Sequence, residues 1–252
     1  MQQLRALANY NSAAYGVNAS GEIAGEYDLS TFSYLWSPLT GFHQLGTLGG
    51  GQTTAVALNA SGEVVGYAST PAGPFHAFLW TVSGGIEDLG ILPGGTHSLA
   101  TAINDLGDVV GYADNTDGID LAVMWRKGKM GVLGKLGGVG KSVSSMAWGI
   151  NNASQVAGWS TTNDGSTHAF LWNAAAGMQD LGVLSPGDSS YAEGINSSGQ
   201  VVGTSGPPGS IWRAFIWTST SGMQDLGTLG GGIAYAYAIN DAGQVTGDSS
   251  LP

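Results

Sequence analysis

The sequence contains no cysteine, so neither a disulfide framework nor a thiolate metal site can form. Charge is scarce as well. Only 10% of the 252 residues are charged against 42% hydrophobic, which is the composition of a folding chain rather than a disordered one. The charge that exists is one-sided, with 18 acidic against 7 basic residues, and a net −11 argues against nucleic acid or an anionic membrane as a general partner. No apolar run approaches the roughly 20 residues of a bilayer span. The opening stretch MQQLRALANYNSAAYG has one arginine and no apolar core, so it does not read as a signal peptide. Motifs of catalysis are also missing: there is no G-x-S-x-G elbow, H-E-x-x-H helix or P-loop.

Glycine is what the chain has in excess, at 43 residues, and it recurs at fixed places between short apolar runs, a pattern of many strands and tight turns. One phrase starts with asparagine and ends in glycine: NASGEIAG at 18–25, NASGEVVG at 59–66 and NDLGDVVG at 104–111, then NNASQVAG at 151–158, NSSGQVVG at 196–203 and NDAGQVTG at 240–247. The leading residues Asn18, Asn59, Asn104, Asn151, Asn196 and Asn240 are 41, 45, 47, 45 and 44 residues apart. A second phrase ends at Trp36, Trp80, Trp125, Trp172 and Trp217, and reads HAFLW twice, at 76–80 and 168–172. A third, typified by EDLGILPGG from Glu87 and QDLGTLGGG from Gln224, follows each of these. A period near 45 residues with the same ordered parts marks a tandem array.

Each part reads as one strand, in the order A (98–104), B (108–114), C (75–81) and D (86–92), taking the clearest copy of each. Four antiparallel strands per unit predict an all-β fold, a β-propeller of six nominal blades with the last incomplete, with five blades or an open β-repeat array as alternatives. Small residues on the A strands, such as Ala55, Ala57, Ala100 and Ala102, suit an innermost position where blades converge. The whole chain, 1–252, reads as one tandem-repeat domain. Residues 1–9 align with a D strand, which is expected to close the last blade, and the final A–B hairpin spans 233–250. The sixth C strand has no counterpart.

These phrases resemble the HAF repeat family of extracellular bacterial proteins, named for His76-Ala77-Phe78 and His168-Ala169-Phe170. The resemblance implies an exported or cell-surface protein and assigns no activity or catalytic residue. Leu121-Ala122-Val123 and Arg213-Ala214-Phe215 depart from the name motif.

Within the repeated phrases, aromatic residues read as blade filler and asparagines as turn formers. Residues outside the repeated positions are better site candidates. Trp148, Trp159 and Trp212 are expected to contact a ligand. Asp114, Asp117 and Asp120 lie in a glycine-containing loop and are weak candidates for calcium, the one cofactor considered, although their spacing is not that of an EF-hand. Five of the seven basic residues, Arg126, Lys127, Lys129, Lys135 and Lys141, fall in 126–141 and read as a solvated edge. Glu193 is an unusual charge on an A strand, and one carboxylate does not make an acid–base pair. No catalytic residue is assigned. The function expected is a non-enzymatic extracellular binding or structural module that meets a protein or polysaccharide at the cell surface, with possible homo-assembly through the incomplete blade. A glycan-binding lectin is the alternative, and a hydrolase or lyase acting in the central channel is the second alternative.

Overall fold

The computed structural model describes residues 11–28, 31–137, 143–209 and 211–252. Among these, every regular element is a strand, and no helix is long and apolar enough to cross a membrane. The first sheet runs β1 (Ser12–Val17), β2 (Ile23–Tyr27), β3 (Phe32–Ser37), β4 (Gly41–Gln44). The second is β5 (Thr53–Leu58), β6 (Val64–Ser69), β7 (Phe75–Thr81), β8 (Gly85–Asp88), and the third β9 (Ser98–Ile103), β10 (Val109–Asp114), β11 (Asp120–Arg126), β12 (Lys129–Gly134). The fourth is β13 (Ser145–Ile150), β14 (Val156–Thr161), β15 (Thr167–Asn173), β16 (Gly177–Asp180), and the fifth β17 (Ser189–Ile195), β18 (Val201–Gly206), β19 (Arg213–Thr218), β20 (Gly222–Asp225). The sixth has two strands, β21 (Ala234–Ile239) and β22 (Val245–Ser249). Strands neighbour one another in sequence order within each sheet, as blades of the predicted kind require. The D strand expected at 1–9 lies outside the described residues.

The chain forms two compact units, Met1–Gly118 with Trp125–Met130, and Ile119–Met124 with Gly131–Pro252. In the first unit β1 touches β5 and β5 touches β9; in the second β13 touches β17 and β17 touches β21. The first strands of successive sheets thus lie side by side, and we call this the inner edge of each unit. Small residues permit it: Ala55, Ala100, Ala147, Ala192 and Ala236 are fully buried there. Larger residues fill the space between sheets, with Leu35, Leu45, Val64, Phe78 and Trp80 in the first unit, and Leu171, Leu181, Val201, Phe215 and Trp217 in the second. Where the following sheet has two strands among the described residues, the leucine is less covered. Leu181 is 6% exposed, whereas Leu226 at the same repeat position is 44% exposed.

Three repeated phrases now have physical explanations. In the A–B turn, the Asn59 N–H donates to the Glu63 carbonyl and the Gly62 N–H to the Asn59 carbonyl, both at 3.1 Å, with Gly62 at φ +73°. The Asn59 Oδ1 accepts the Ser61 and Glu63 amides, while its Nδ2 donates to the Glu63 carboxylate and to the Asn104 carbonyl of the next turn at 3.1 Å. Asn18 reaches Asn59, Asn151 reaches Asn196, and Asn196 reaches Asn240 in the same way. The asparagine therefore shapes its own hairpin and ties it to the next.

In the HAF phrase, His76 Nδ1 lies 2.8 Å from Asp88 Oδ2 and His168 Nδ1 2.9 Å from Asp180 Oδ2, each joining a C strand to its D strand. Arg213 makes the same link to Asp225 at 2.7 Å. Leu121 replaces the histidine on the third sheet, and Val132 stands where the aspartate would be. The alanine amide donates to a serine hydroxyl of the next sheet, Ala77 to Ser98 at 2.9 Å and Ala169 to Ser190 at 2.8 Å, and the phenylalanine is buried. The D strand is shorter than the predicted 86–92. Asp88 Oδ1 accepts the Gly90 amide and Gly90 takes φ +77°, which turns the chain away after Asp88.

The glycine ending the asparagine phrase marks a bulge. On all six first strands the pairing slips by one residue, opposite Gly25, Gly66, Gly111, Gly158, Gly203 and Gly247. A Cβ on any of them would lie 1.9–2.0 Å from a carbonyl oxygen of the first strand, so only glycine allows the approach.

Candidate active site

The bulge inserts one unpaired residue into each inner strand. In the first unit these residues are Tyr15, Val56 and Thr101; in the second they are Trp148, Glu193 and Tyr237. The flanking alanine or glycine residues and the partner glycine are held from copy to copy, while the inserted residue differs chemically nearly every time. A backbone irregularity kept in every copy therefore presents a side chain that the repeat does not dictate.

The second unit's three residues stand next to one another. A Cβ on Gly149 would meet the backbone of Glu193 and Ile195 at 3.4–3.5 Å, and one on Gly194 would meet Tyr237 and Ala238 at 3.2–3.3 Å. The three strands are thus in matched register, with Trp148 and Tyr237 on either side of Glu193. Glu193 is half-buried and its carboxyl has no hydrogen-bond partner among the described residues. Burial pushes its pKa from 4.5 up to about 7, because desolvation disfavours the charged form. Trp148 Nε1 is buried without a partner as well. The Tyr237 hydroxyl donates to Asp248 Oδ2 at 2.8 Å, and that bond, then burial and the neighbouring Asp248, Tyr235 and Glu193 charges, raises the phenol pKa.

Of the predicted ligand contacts, Trp148 belongs to this group. Trp159 and Trp212 lie elsewhere, each with its ring 5.6 Å from Tyr191, two residues before Glu193 on β17. Asp114 is buried and turned to structural use, accepting the Thr96 and His97 amides and the Thr96 hydroxyl. Burial pushes its carboxyl up, and these bonds outweigh that and hold it below its ordinary value. Among the described residues no three histidine, aspartate or glutamate side chains gather where they could hold a metal, so Asp114, Asp117 and Asp120 do not form one cluster. In the basic stretch, Arg126 makes a two-pronged bond to the buried Asp108, with Nε 2.8 Å from Oδ1, and Lys127 forms a tight turn with Gly128 at positive φ. Lys141 lies outside the described residues. A cavity of about 300 Å³ is lined by Leu136, Thr162, Asn163, Asp164, His168 and Asp180. Its histidine is committed through Nδ1 to the clamp that also joins β7 to β8.

Tyr237 and the bulge register escaped the reading of the sequence. Aligning the repeats column by column exposes them: between the small residues of the A strand lies one position whose chemistry is unconstrained.

No family model matches the chain, and no curated protein matches it. Solved structures do. A puromycin hydrolase is similar with a TM-score of 0.63 at 14% identity over 96% of this chain and 42% of the hydrolase. A TolB-type protein from Agrobacterium tumefaciens is similar with a TM-score of 0.61 at 12% identity over 86% of this chain and 80% of that one. TolB from Acinetobacter baumannii follows with 0.56 at 11% identity over 90% of this chain and 57% of that one. The expectation of a non-enzymatic binding or structural module, with the lectin as its alternative, is corrected by this comparison, since the propellers it resembles include an enzyme. The physical reason it went astray is that the repeated phrases, which dominate the sequence, are structural, and the one inner carboxyl was weighed without its buried setting. At these identities the likeness establishes the architecture alone: the chain is an all-β propeller of four-stranded antiparallel blades.

Proposed function

We propose that the protein is a hydrolase or lyase whose proton-transfer residue is Glu193. The observation carrying this reading is a half-buried, unpartnered carboxyl at a backbone bulge on the inner edge, with its pKa moved to about 7. A group titrating near neutrality serves equally as base and as acid. In hydrolysis the Glu193 carboxylate takes a proton from water as its oxygen attacks the substrate, then returns that proton to the leaving group. In elimination it takes the proton from carbon, the C–H electron pair forms the double bond, and the leaving group departs with its own bonding pair and receives that proton. An extracellular or cell-surface setting is part of the proposal and is supported by the likeness to HAF repeat proteins.

The test is turnover of a panel of p-nitrophenyl esters and glycosides by the wild type and by Glu193→Gln. The wild type is expected to show a rate limb with an apparent pKa near 7 that the variant lacks, with activity down at least 100-fold. Wild-type turnover in the variant would overturn the assignment. Stability gives a second readout. The folded pKa of Glu193 is above its unfolded value, so its favourable contribution is full below pH 4.5 and is lost as pH rises through about 7. The thermal midpoint of Glu193→Gln is therefore expected to exceed that of the wild type at pH 8 and to lose this advantage at pH 4.5.

A further inference from the structure

Three features of the second unit's inner edge constrain what it binds. Trp148 offers a buried N–H that no acceptor among the described residues meets, which costs free energy until a ligand supplies one. Glu193 accepts no hydrogen bond from a donor among the described residues, so it is open to a donor from a ligand. Trp148 and Tyr237 on either side of Glu193 provide ring faces, and Tyr237 is half exposed with its hydroxyl fixed on Asp248. A ligand satisfying all three must carry an oxygen acceptor and a hydroxyl donor on one compact ring with an apolar face.

Charge narrows the class further. An anionic ligand would enter beside Glu193 and Asp248 on a protein of net charge −11. A simple cation would satisfy Glu193 but brings no acceptor to Trp148. From these observations we propose that Trp148, Glu193 and Tyr237 bind an uncharged, polyhydroxylated ring, a neutral sugar unit, as the substrate class of the enzyme. This rests on the reading of Glu193 as the proton-transfer residue, and it makes Trp148 a substrate-binding residue that donates through Nε1.

The experiment measures binding rather than turnover, so the two readings separate. Glu193→Gln, which keeps a hydrogen-bonding side chain but cannot transfer a proton, is titrated with maltose, cellobiose, glucuronate and glucosamine by calorimetry and tryptophan fluorescence. At least one neutral disaccharide is expected to saturate, with glucuronate and glucosamine at least tenfold weaker. Adding Trp148→Phe to that variant keeps a ring and removes the N–H, and is expected to weaken the neutral sugar about tenfold, with the thermal midpoint recorded to verify folding. Tyr237→Leu, which removes a ring without touching Trp148, is expected to weaken it as well. The proposal is overturned if no neutral sugar saturates, if a charged sugar binds as tightly, or if both ring variants bind unchanged. Loss of turnover in Glu193→Gln without sugar binding would sink the substrate class alone. Sugar binding with turnover intact in Glu193→Gln would sink the catalytic reading alone.

Discussion

On the fourth sheet, His168 on β15 sits 2.9 Å from Asp180 on β16, as His76 sits 2.8 Å from Asp88 on the second sheet. On the inner strands of the same two sheets, Trp148 and Val56 occupy a single register position and share no chemistry. The outer pair solves a problem that every sheet has, namely holding a short fourth strand whose hydrogen bonds end one residue past the aspartate, at the leucine amide. Its members change together, to Leu121 and Val132 on the third sheet, because an ion pair and an apolar pair both fasten two strands. The inner position solves no shared problem. Its backbone is fixed by glycine, and its side chain varies from copy to copy. In a tandem array, the informative residue is the one that a repeated backbone feature leaves free.

The largest effect should come from attacking that backbone feature. A Cβ on Gly203 would meet the Tyr191 carbonyl oxygen at 1.9 Å and the Ala192 Cα at 2.9 Å, neither of which can move without undoing the bulge. Gly203→Ala is expected to cost about 3 kcal/mol in urea denaturation and to abolish activity by displacing Glu193. Gly131→Ala on β12, where nothing lies within 4 Å, is the control and should stay within about 0.5 kcal/mol. Equal stability of the two variants would refute the view that the bulge is encoded by its glycine.

Next in size is the asparagine that stitches turns together. Asn59→Ala leaves the Ser61 and Glu63 amides and the Asn104 carbonyl without their side-chain partner in a buried turn. A loss of about 2–3 kcal/mol is expected, with activity of the folded fraction unchanged because the site lies in the other unit. Measured activity per folded molecule decides it, and a fall there would join turn and site in a way the two regions do not otherwise suggest.

Much of this was legible in the sequence, and the reason is repetition. Six copies of a turn, five of the tryptophan phrase and a period near 45 residues specify strands and their order without any knowledge of contacts. The roles of His76 and Asp88 were not legible, because they are twelve residues apart and meet only through the C–D register. Glu193 was visible as a charge on an inner strand, yet its shifted pKa depends on burial by neighbouring sheets, which no local pattern encodes. The bulge was hidden most completely. The last glycine of NSSGQVVG reads as one more residue within a B strand, and its meaning emerges only when the Tyr191 carbonyl is found against it.

A stabilising change should be available where one copy breaks the shared turn. Five of the six A–B turns place glycine at positive φ, at Gly21, Gly62, Gly107, Gly199 and Gly243, while the fourth places Ser154 there at φ 56°. A side chain in that region costs roughly 1–2 kcal/mol. Ser154→Gly is expected to recover about 1 kcal/mol, less the extra freedom of glycine in the unfolded chain, and to leave Trp148 fluorescence and turnover unchanged. A drop in thermal midpoint would mean that Ser154 earns its place through bonds beyond the turn.

The smallest effect belongs to the clamp that gave the most conspicuous motif. His168 and Asp180 are partly exposed, so their mutual attraction is screened, and a double-mutant cycle is expected to give a coupling of about 0.5 kcal/mol. Asp180→Val alone should cost more than His168→Leu alone, because Asp180 also accepts the Gly182 amide at 2.7 Å. The double variant His168→Leu with Asp180→Val rebuilds on the fourth sheet the apolar pair that the third already carries, and it should be more stable than Asp180→Val alone. Activity should be unaffected in all three. A loss of turnover in His168→Leu at full stability would reverse the comparison, moving the chemistry from the inner bulge to the 300 Å³ cavity that His168 lines.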